Sequence, residues 1–287
     1  MPDATKARFY HLSDVTLHAV EAGPKAGPLT ILLHGFPEFW WAWRHYIDPL
    51  AKAGIRVLAP DQRGYNLSSK PPSIAAYHLD KLAADVVGLI TACQRDRATL
   101  VGHDWGGIVG GRVAVRYPSR VEKLVMINAP HWPTAAQYIR RHPGQMLKSA
   151  YVGFFQIPVL PEILLQRGDY APLSNTMVRS SRVGTFGAED FAQYGRAWRQ
   201  RGALRAMLNW YRALARAPGE GDGRQIEAPS VLVWGKKDAF LQPGLAEATL
   251  ERCKDGRLIC FEEGTHWVHD EEADAVSEII LKLVKNT

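Results

Sequence analysis

Cysteine is scarce in this chain: Cys93, Cys253 and Cys260 are the only three in 287 residues, and none shares a CxxC spacing. An odd number without paired spacing excludes a disulfide framework and a cysteine zinc site, and reads as reduced thiols. Long apolar runs are also missing. No stretch approaches the roughly 18 uninterrupted apolar residues of a membrane span, so none is expected. The opening residues, MPDATKARFYHLSDV, lack the apolar h-region of a signal peptide, and a cytoplasmic location is expected. No P-loop, GxGxxG pattern, internal repeat or low-complexity tract is present, which speaks against nucleotide binding and repeat architectures. What is there is an ordinary globular composition, 46% hydrophobic and 22% charged, long enough to bury a real core.

The charge is uneven. The net +6 and the pI near 9.2 would permit nucleic-acid binding. Residues 131–227, however, hold 13 Lys+Arg against 7 Asp+Glu, and the rest of the chain holds 22 of each. The excess is carried by Arg140, Arg141, Arg179, Arg182, Arg196, Arg199, Arg201, Arg205, Arg212 and Arg216 among others. It reads as a solvated helical surface, and no nucleic-acid partner is expected.

Up to residue 130, short apolar or β-branched runs alternate with helix-like stretches. Val15–Val20, Leu29–Leu33, Arg56–Ala59, Ala98–Val101 and Lys123–Ile127 read as strands. Phe39–Ala53, Leu79–Cys93 and Gly106–Tyr117 read as helices, the second with Leu82, Val86, Leu89 and Ile90 at helical spacing. Such alternation predicts a parallel sheet covered on both faces. Residues 131–227 lack strand alternation and read as a helical insert. The alternation returns with Ser230–Trp234, Pro243–Cys253, Arg257–Phe261 and Ala273–Val284. The predicted organisation is therefore a core over 1–130 and 228–287, interrupted by a cap over 131–227.

The strongest local signal is Thr99–Gly107, TLVGHDWGG. An apolar strand enters Gly102-His103-Asp104-Trp105-Gly106, and a helix of small residues follows. This is the strand–turn–helix setting of a nucleophile elbow. Three features resemble the α/β-hydrolase fold over nearly the whole chain. Leu33-His34-Gly35-Phe36-Pro37 ends a strand where that family places its oxyanion loop. Asp238 follows the Val231–Trp234 strand, and His266 follows the last strand in Glu263-Gly264-Thr265-His266-Trp267. The order nucleophile, acid, histidine is the family order. The resemblance implies a mostly parallel sheet flanked by helices, with an inserted helical cap.

The elbow residue is Asp, where an esterase of this fold carries Ser. A carboxylate is already an anion at neutral pH and suits displacement at a saturated carbon. Its product is an ester, which water can hydrolyse, whereas a serine would be trapped as an ether. Asp104 therefore points to epoxides or alkyl halides. His266 is then the general base, oriented by Asp238, and the N–H groups of Phe36 and Trp105 are the expected oxyanion donors. His34 and Pro37 complete the expected substrate-side loop, with His34 as its support. His266, His269 and Asp270 form an HxxHD run, but the triad accounts for His266 and no metal or organic cofactor is expected.

Epoxide hydrolases and haloalkane dehalogenases of this fold share His-Asp-Trp-Gly. An epoxide oxygen leaves as an alkoxide and needs a proton donor. The chain resembles epoxide hydrolases at Ala150–Pro158, where Tyr151 precedes Phe155-Gln156 and Pro158, and at Asn209-Trp210-Tyr211-Arg212. The resemblance implies that Tyr151 and Tyr211 donate to the epoxide oxygen. Phe36 stands where many dehalogenases carry an Asn donor. Phe154, Phe155, Trp132 and Trp210 suggest an aromatic pocket, and Trp40, Trp41 and Trp43 packing around the first helix. The expected substrate is a small hydrophobic epoxide, and the expected assembly a monomer or homodimer. A haloalkane dehalogenase and a ligand-binding or regulatory protein with little turnover are the alternatives.

Overall fold

The structure is a computed structural model that describes residues 5–216 and 224–285. The first four residues, the last two, and residues 217–223 near the end of the expected cap lie outside the described residues. Eight strands form one sheet: β1 (Lys6–His11), β2 (Thr16–Ala22), β3 (Leu29–Leu33), β4 (Arg56–Pro60), β5 (Ala98–His103), β6 (Val121–Ile127), β7 (Ser230–Gly235) and β8 (Gly256–Phe261). Their order is β1-β2-β4-β3-β5-β6-β7-β8. β2 pairs antiparallel with both β1 and β4, and every other pair is parallel. β3, β4, β5 and β7 are buried at every position, which explains why they read as continuous apolar runs rather than alternating ones.

β1 went unread in the sequence because it is an edge strand with mostly exposed side chains. The expected helix Phe39–Ala53 is also divided. Phe39 is extended, a 3-10 turn covers Trp40–Trp43, and α1 spans Arg44–Lys52. The division buries Phe39, Trp40 and Trp43 together in the core. The other core helices are α2 (Leu79–Ala92), α3 (Trp105–Arg116), α10 (Gly244–Leu250), α11 (Val268–Glu271) and α12 (Ala273–Lys285). Between β6 and β7 the described residues form α4 (Trp132–Arg141), α5 (Pro143–Lys148), α6 (Ala150–Phe154), α7 (Leu160–Ser180), α8 (Ala188–Trp198) and α9 (Ala203–Arg216). α7 is kinked, with non-helical backbone at Arg167–Tyr170. Among the described residues no helix is long and apolar enough to cross a membrane.

The register brings the strand ends together. Leu33 lies opposite Gly102, His103 opposite Ile127, and Ile127 opposite Val233. The loops after β3, β5, β6 and β7 therefore open on one edge, where sites collect in such sheets. β3 and β5 are neighbours at the point where the strand order reverses.

The turn from β5 into α3 is the tightest of these. Asp104 has φ 50° and ψ −119°, a backbone region sparsely populated by non-glycine residues. Two residues on, a Cβ at Gly106 would stand 2.0 Å from the Leu33 carbonyl oxygen. Gly106 is therefore fixed by the close approach of α3 to β3. Gly106→Ala should cost roughly 1–3 kcal/mol of stability through overpacking. Denaturant unfolding checks this, and an unchanged midpoint would show that the helix has room to move.

Candidate active site

Four loops meet above this edge. The Phe36 N–H donates to Asp104 Oδ1 at 2.9 Å. Asp104 Oδ2 faces His266 Nε2 at 3.7 Å. The other ring nitrogen, His266 Nδ1, donates to Asp238 Oδ2 at 2.8 Å. Since Asp238 fixes the proton on Nδ1, the nitrogen toward Asp104 is the one free to take up or release a proton. Trp105 begins α3 directly after Asp104, where a helix leaves its first N–H groups without intrahelical partners.

Asp238 is buried and fully engaged. Its Oδ1 accepts the N–H groups of Phe240 and Leu241 at 2.6 and 2.9 Å, and Asn128 Nδ2 donates to Oδ2 at 2.6 Å. Asn128, just past β6, also accepts the Gly235 N–H at 2.8 Å. Sequence reading missed this role; the signal was a polar residue ending an apolar strand beside the acid's strand. Burial alone would raise the Asp238 carboxyl, but the His266 charge and these hydrogen bonds hold it below its ordinary value. Burial works against the His266 cation, yet Asp238 first and then the Asp104 and Glu38 charges raise the imidazole to about 9. The raised imidazole favours the protonated ring in the resting site.

Phe36, Pro37, Asp104, Tyr151, Tyr211 and His266 line one cavity of about 280 Å³. Tyr151 comes from α6 and Tyr211 from α9, with ring centroids 5.9 Å apart. Burial pushes both phenols up, and the Asp104 charge adds to it, so both keep their protons as donors. Phe154, Phe155, Leu165, Leu173, Met177, Phe240 and Trp267 supply an apolar wall.

Several expected pocket residues lie elsewhere. His34 is buried in the loop: Nδ1 donates to the Gly35 carbonyl at 2.9 Å and Nε2 accepts the Gln62 N–H at 3.0 Å. With both nitrogens engaged on backbone, it supports the loop and does not line the cavity. The Trp105 indole packs edge-on against Trp210 and Tyr211, outside the lining, so only its backbone remains a candidate contact. Trp210 donates to the Arg63 carbonyl at 2.9 Å, and Trp132 packs beside Trp234 and Leu245. The basic helices are not wholly solvated either. Arg212 is buried, pairs with Glu162 at 2.7 Å and donates to the Phe155 carbonyl at 2.9 Å. Lys148 donates to the Asp238 carbonyl at 2.8 Å.

A buried ionic cluster lies beneath the site. Glu38 accepts the Gly35 N–H at 2.9 Å, His103 Nδ1 at 2.8 Å and His269 Nε2 at 3.0 Å. His103 Nε2 donates to the His266 carbonyl at 2.9 Å. Burial opposes the Glu38 charge, but the two histidines hold its carboxyl well below the ordinary value. The sequence run HxxHD is split by this arrangement: His266 faces Asp104, whereas His269 faces Glu38. Glu38, His103 and His269 have ligand atoms within 4.8 Å of one another. Both His103 nitrogens are already hydrogen-bonded to acceptors, so the trio braces the loops from below.

A family model described as the alpha/beta hydrolase fold matches residues 28–273. The chain is 44% identical over 284 residues to the AB hydrolase superfamily protein YfhM of Bacillus subtilis (strain 168), covering 99% of each. It is 37% identical to Epoxide hydrolase 4 of Mus musculus, covering 95% of this chain and 77% of that protein. The fold is similar to the crystal structure of a Bacillus megaterium epoxide hydrolase in complex with an inhibitor. That likeness has a TM-score of 0.88 at 28% identity, over 97% of this chain and all of that one (100%).

The His266 environment generates a titration prediction. The ring should titrate near pH 9 by NMR. Asp238→Asn removes the strongest raising influence, so the midpoint should fall well below that value. A midpoint that does not move would sink the assignment of Asp238 as its cause.

Proposed function

The chain belongs to the α/β-hydrolase-fold family of epoxide hydrolases, and on that premise we propose that it converts an apolar epoxide to a vicinal diol through a covalent ester of Asp104. One observation carries the reading. A carboxylate nucleophile and two protonated tyrosines, Tyr151 and Tyr211, border the same apolar cavity. The helices α4 to α9 act as the cap that brings the tyrosines to the core.

In the first half-reaction, Tyr151 and Tyr211 hold the epoxide oxygen. Asp104 Oδ2 attacks a ring carbon, the carbon–oxygen bond breaks, and the oxygen takes a proton from a tyrosine. Oδ2 is the suited nucleophile because Oδ1 is engaged by the Phe36 N–H. Esterification removes the Asp104 charge. That charge is one of those raising His266, so its loss lowers the imidazole pKa and leaves more of the ring in the neutral, proton-accepting form when a base is needed.

In the second half-reaction, His266 Nε2 takes a proton from water, whose oxygen attacks the Asp104 carbonyl carbon. The negative charge develops on Oδ1, where Phe36 N–H already donates and Trp105 N–H is the second candidate donor. The bond from the carbonyl carbon to Oδ2 then breaks. The diol leaves with Oδ2, taking the proton from His266; the second water proton, left on the Asp104 carboxyl, passes through solvent to the tyrosinate formed during ring opening, which restores the carboxylate and both phenols. A halide would leave without needing a proton, and Phe36 offers no side-chain donor to hold one.

His266→Gln should permit ester formation and stall its hydrolysis, so intact-mass spectrometry should find an adduct on Asp104. No adduct with any reactive epoxide would count against the covalent step. Tyr151→Phe with Tyr211→Phe should reduce ring opening by at least ~100-fold, within the range typical of positioned acids. Retained epoxide turnover together with bromide release from alkyl bromides would favour the dehalogenase reading. Hydrolysis needs neutral His266, so its single-turnover rate should rise with pH and level off. The apparent pKa should lie below the resting value of about 9, because the ester has removed the Asp104 charge.

A further inference from the structure

The mechanism uses the ring of His266, but the loop that carries it is held by a carboxylate outside the triad. Thr265 precedes His266. Its N–H donates to Glu271 Oε2 at 2.8 Å and its hydroxyl to Glu271 Oε1 at 2.7 Å. The Glu271 side chain is fully buried. The same Oε1 also accepts the backbone N–H of Arg182 at 2.8 Å, and the Arg182 guanidinium donates to the Glu271 carbonyl at 2.6 Å. Arg182 lies between α7 and α8, in the helical segment over the site. Two residues earlier, the Ser180 hydroxyl accepts Trp267 Nε1 at 2.9 Å. The residues on both sides of His266 are therefore tied to one short stretch of the cap.

We propose that Glu271 is a positioning residue for His266, and that through Arg182 the seated cap sets the base for the hydrolytic half-reaction. The inference rests on the covalent reading above. Hydrolysis requires His266 Nε2, a water and the Asp104 carbonyl carbon to be aligned, and small displacements degrade such alignment steeply. Ring opening relies instead on Asp104 and the two tyrosines, which come from the turn after β5, from α6 and from α9. Loosening the Glu271 clamp should therefore slow the second half-reaction and spare the first. A carboxylate that only stabilised the fold would slow both together.

The arrangement also explains why the clamp is a carboxyl group and not an amide. One carboxylate accepts two backbone N–H groups and a hydroxyl, and it lies beside the Arg182 guanidinium, 3.6 Å from Nε. A glutamine would turn one of its acceptor atoms into a donor facing another donor.

The test separates the half-reactions by stopped flow and intact-mass spectrometry in the full-length protein, with styrene oxide as probe. In Glu271→Gln, ester hydrolysis should fall roughly tenfold or more while ester formation stays within about twofold, so the Asp104 adduct accumulates during turnover. Thr265→Val should show the same split in milder form, and Thr265→Ser, which keeps the hydroxyl, should restore hydrolysis. If Glu271→Gln does not fold, the threonine pair carries the test alone. Equal loss in both half-reactions, or no change in either, overturns the proposal. His266→Gln run in parallel distinguishes the failures: no adduct there overturns the covalent reading itself, whereas an adduct there without the Glu271 or Thr265 effect overturns only the clamp.

Discussion

The backbone of Asp104 is held at positive φ between a buried strand and a helix packed against β3 so closely that Gly106 leaves no room for a side chain. A non-glycine residue in such a conformation costs on the order of 1–3 kcal/mol, and it persists only where its surroundings over-determine it. Here they do. β5 is flanked by β3 and β6 and buried along its length, and Gly35 lies so near that a Cβ there would meet the Asp104 Cβ at 2.6 Å. The carboxylate is thereby lifted off the sheet edge, with one oxygen on the Phe36 N–H and the other toward His266. Every other part of the site is arranged around that position.

Electrostatics then divides the labour among buried groups. Asp238 is kept ionised by three donors besides His266, and its charge raises the imidazole despite burial. Glu38, His103 and His269 form a second buried ionic set that reaches the His266 carbonyl from below. The phenols of Tyr151 and Tyr211 are driven the opposite way, toward holding their protons. A raised imidazole and two phenols that keep their protons thus share one small apolar cavity with the Asp104 carboxyl.

Much of this was legible in the sequence because it is locally coded. Parallel strands leave continuous apolar runs, and the site residues follow strand ends closely: Asp104 by one residue, Phe36 and Asp238 by three, and His266 by five. Asp104, Asp238 and His266 could be placed for that reason, and they do converge. Tyr151 and Tyr211 were placed by resemblance at two short cap motifs. What was not legible depends on tertiary register. Leu165, Leu173 and Met177 reach the cavity from a kinked helix whose bend nothing in the local pattern announces. Trp132 and Trp210 looked like pocket aromatics but satisfy packing elsewhere. His34 was expected on the substrate side of its loop, but its ring is held on the loop backbone and does not line the cavity. The basic excess over residues 131–227 read as solvated surface, yet Lys148, Arg182 and Arg212 hold the backbone carbonyls of Asp238, Glu271 and Phe155. A charge count gives location and sign, but it does not reveal which guanidinium is buried on a carbonyl.

The central claim is that the oxygen added to the substrate comes first from Asp104 and only later from solvent. A single-turnover reaction with enzyme in excess over an epoxide, carried out in ¹⁸O water, tests it most directly. The account predicts an unlabelled added oxygen in the first diol and one ¹⁸O in the Asp104 carboxylate, located by peptide mass spectrometry. Label appearing directly in the first diol, with none in Asp104, would contradict it.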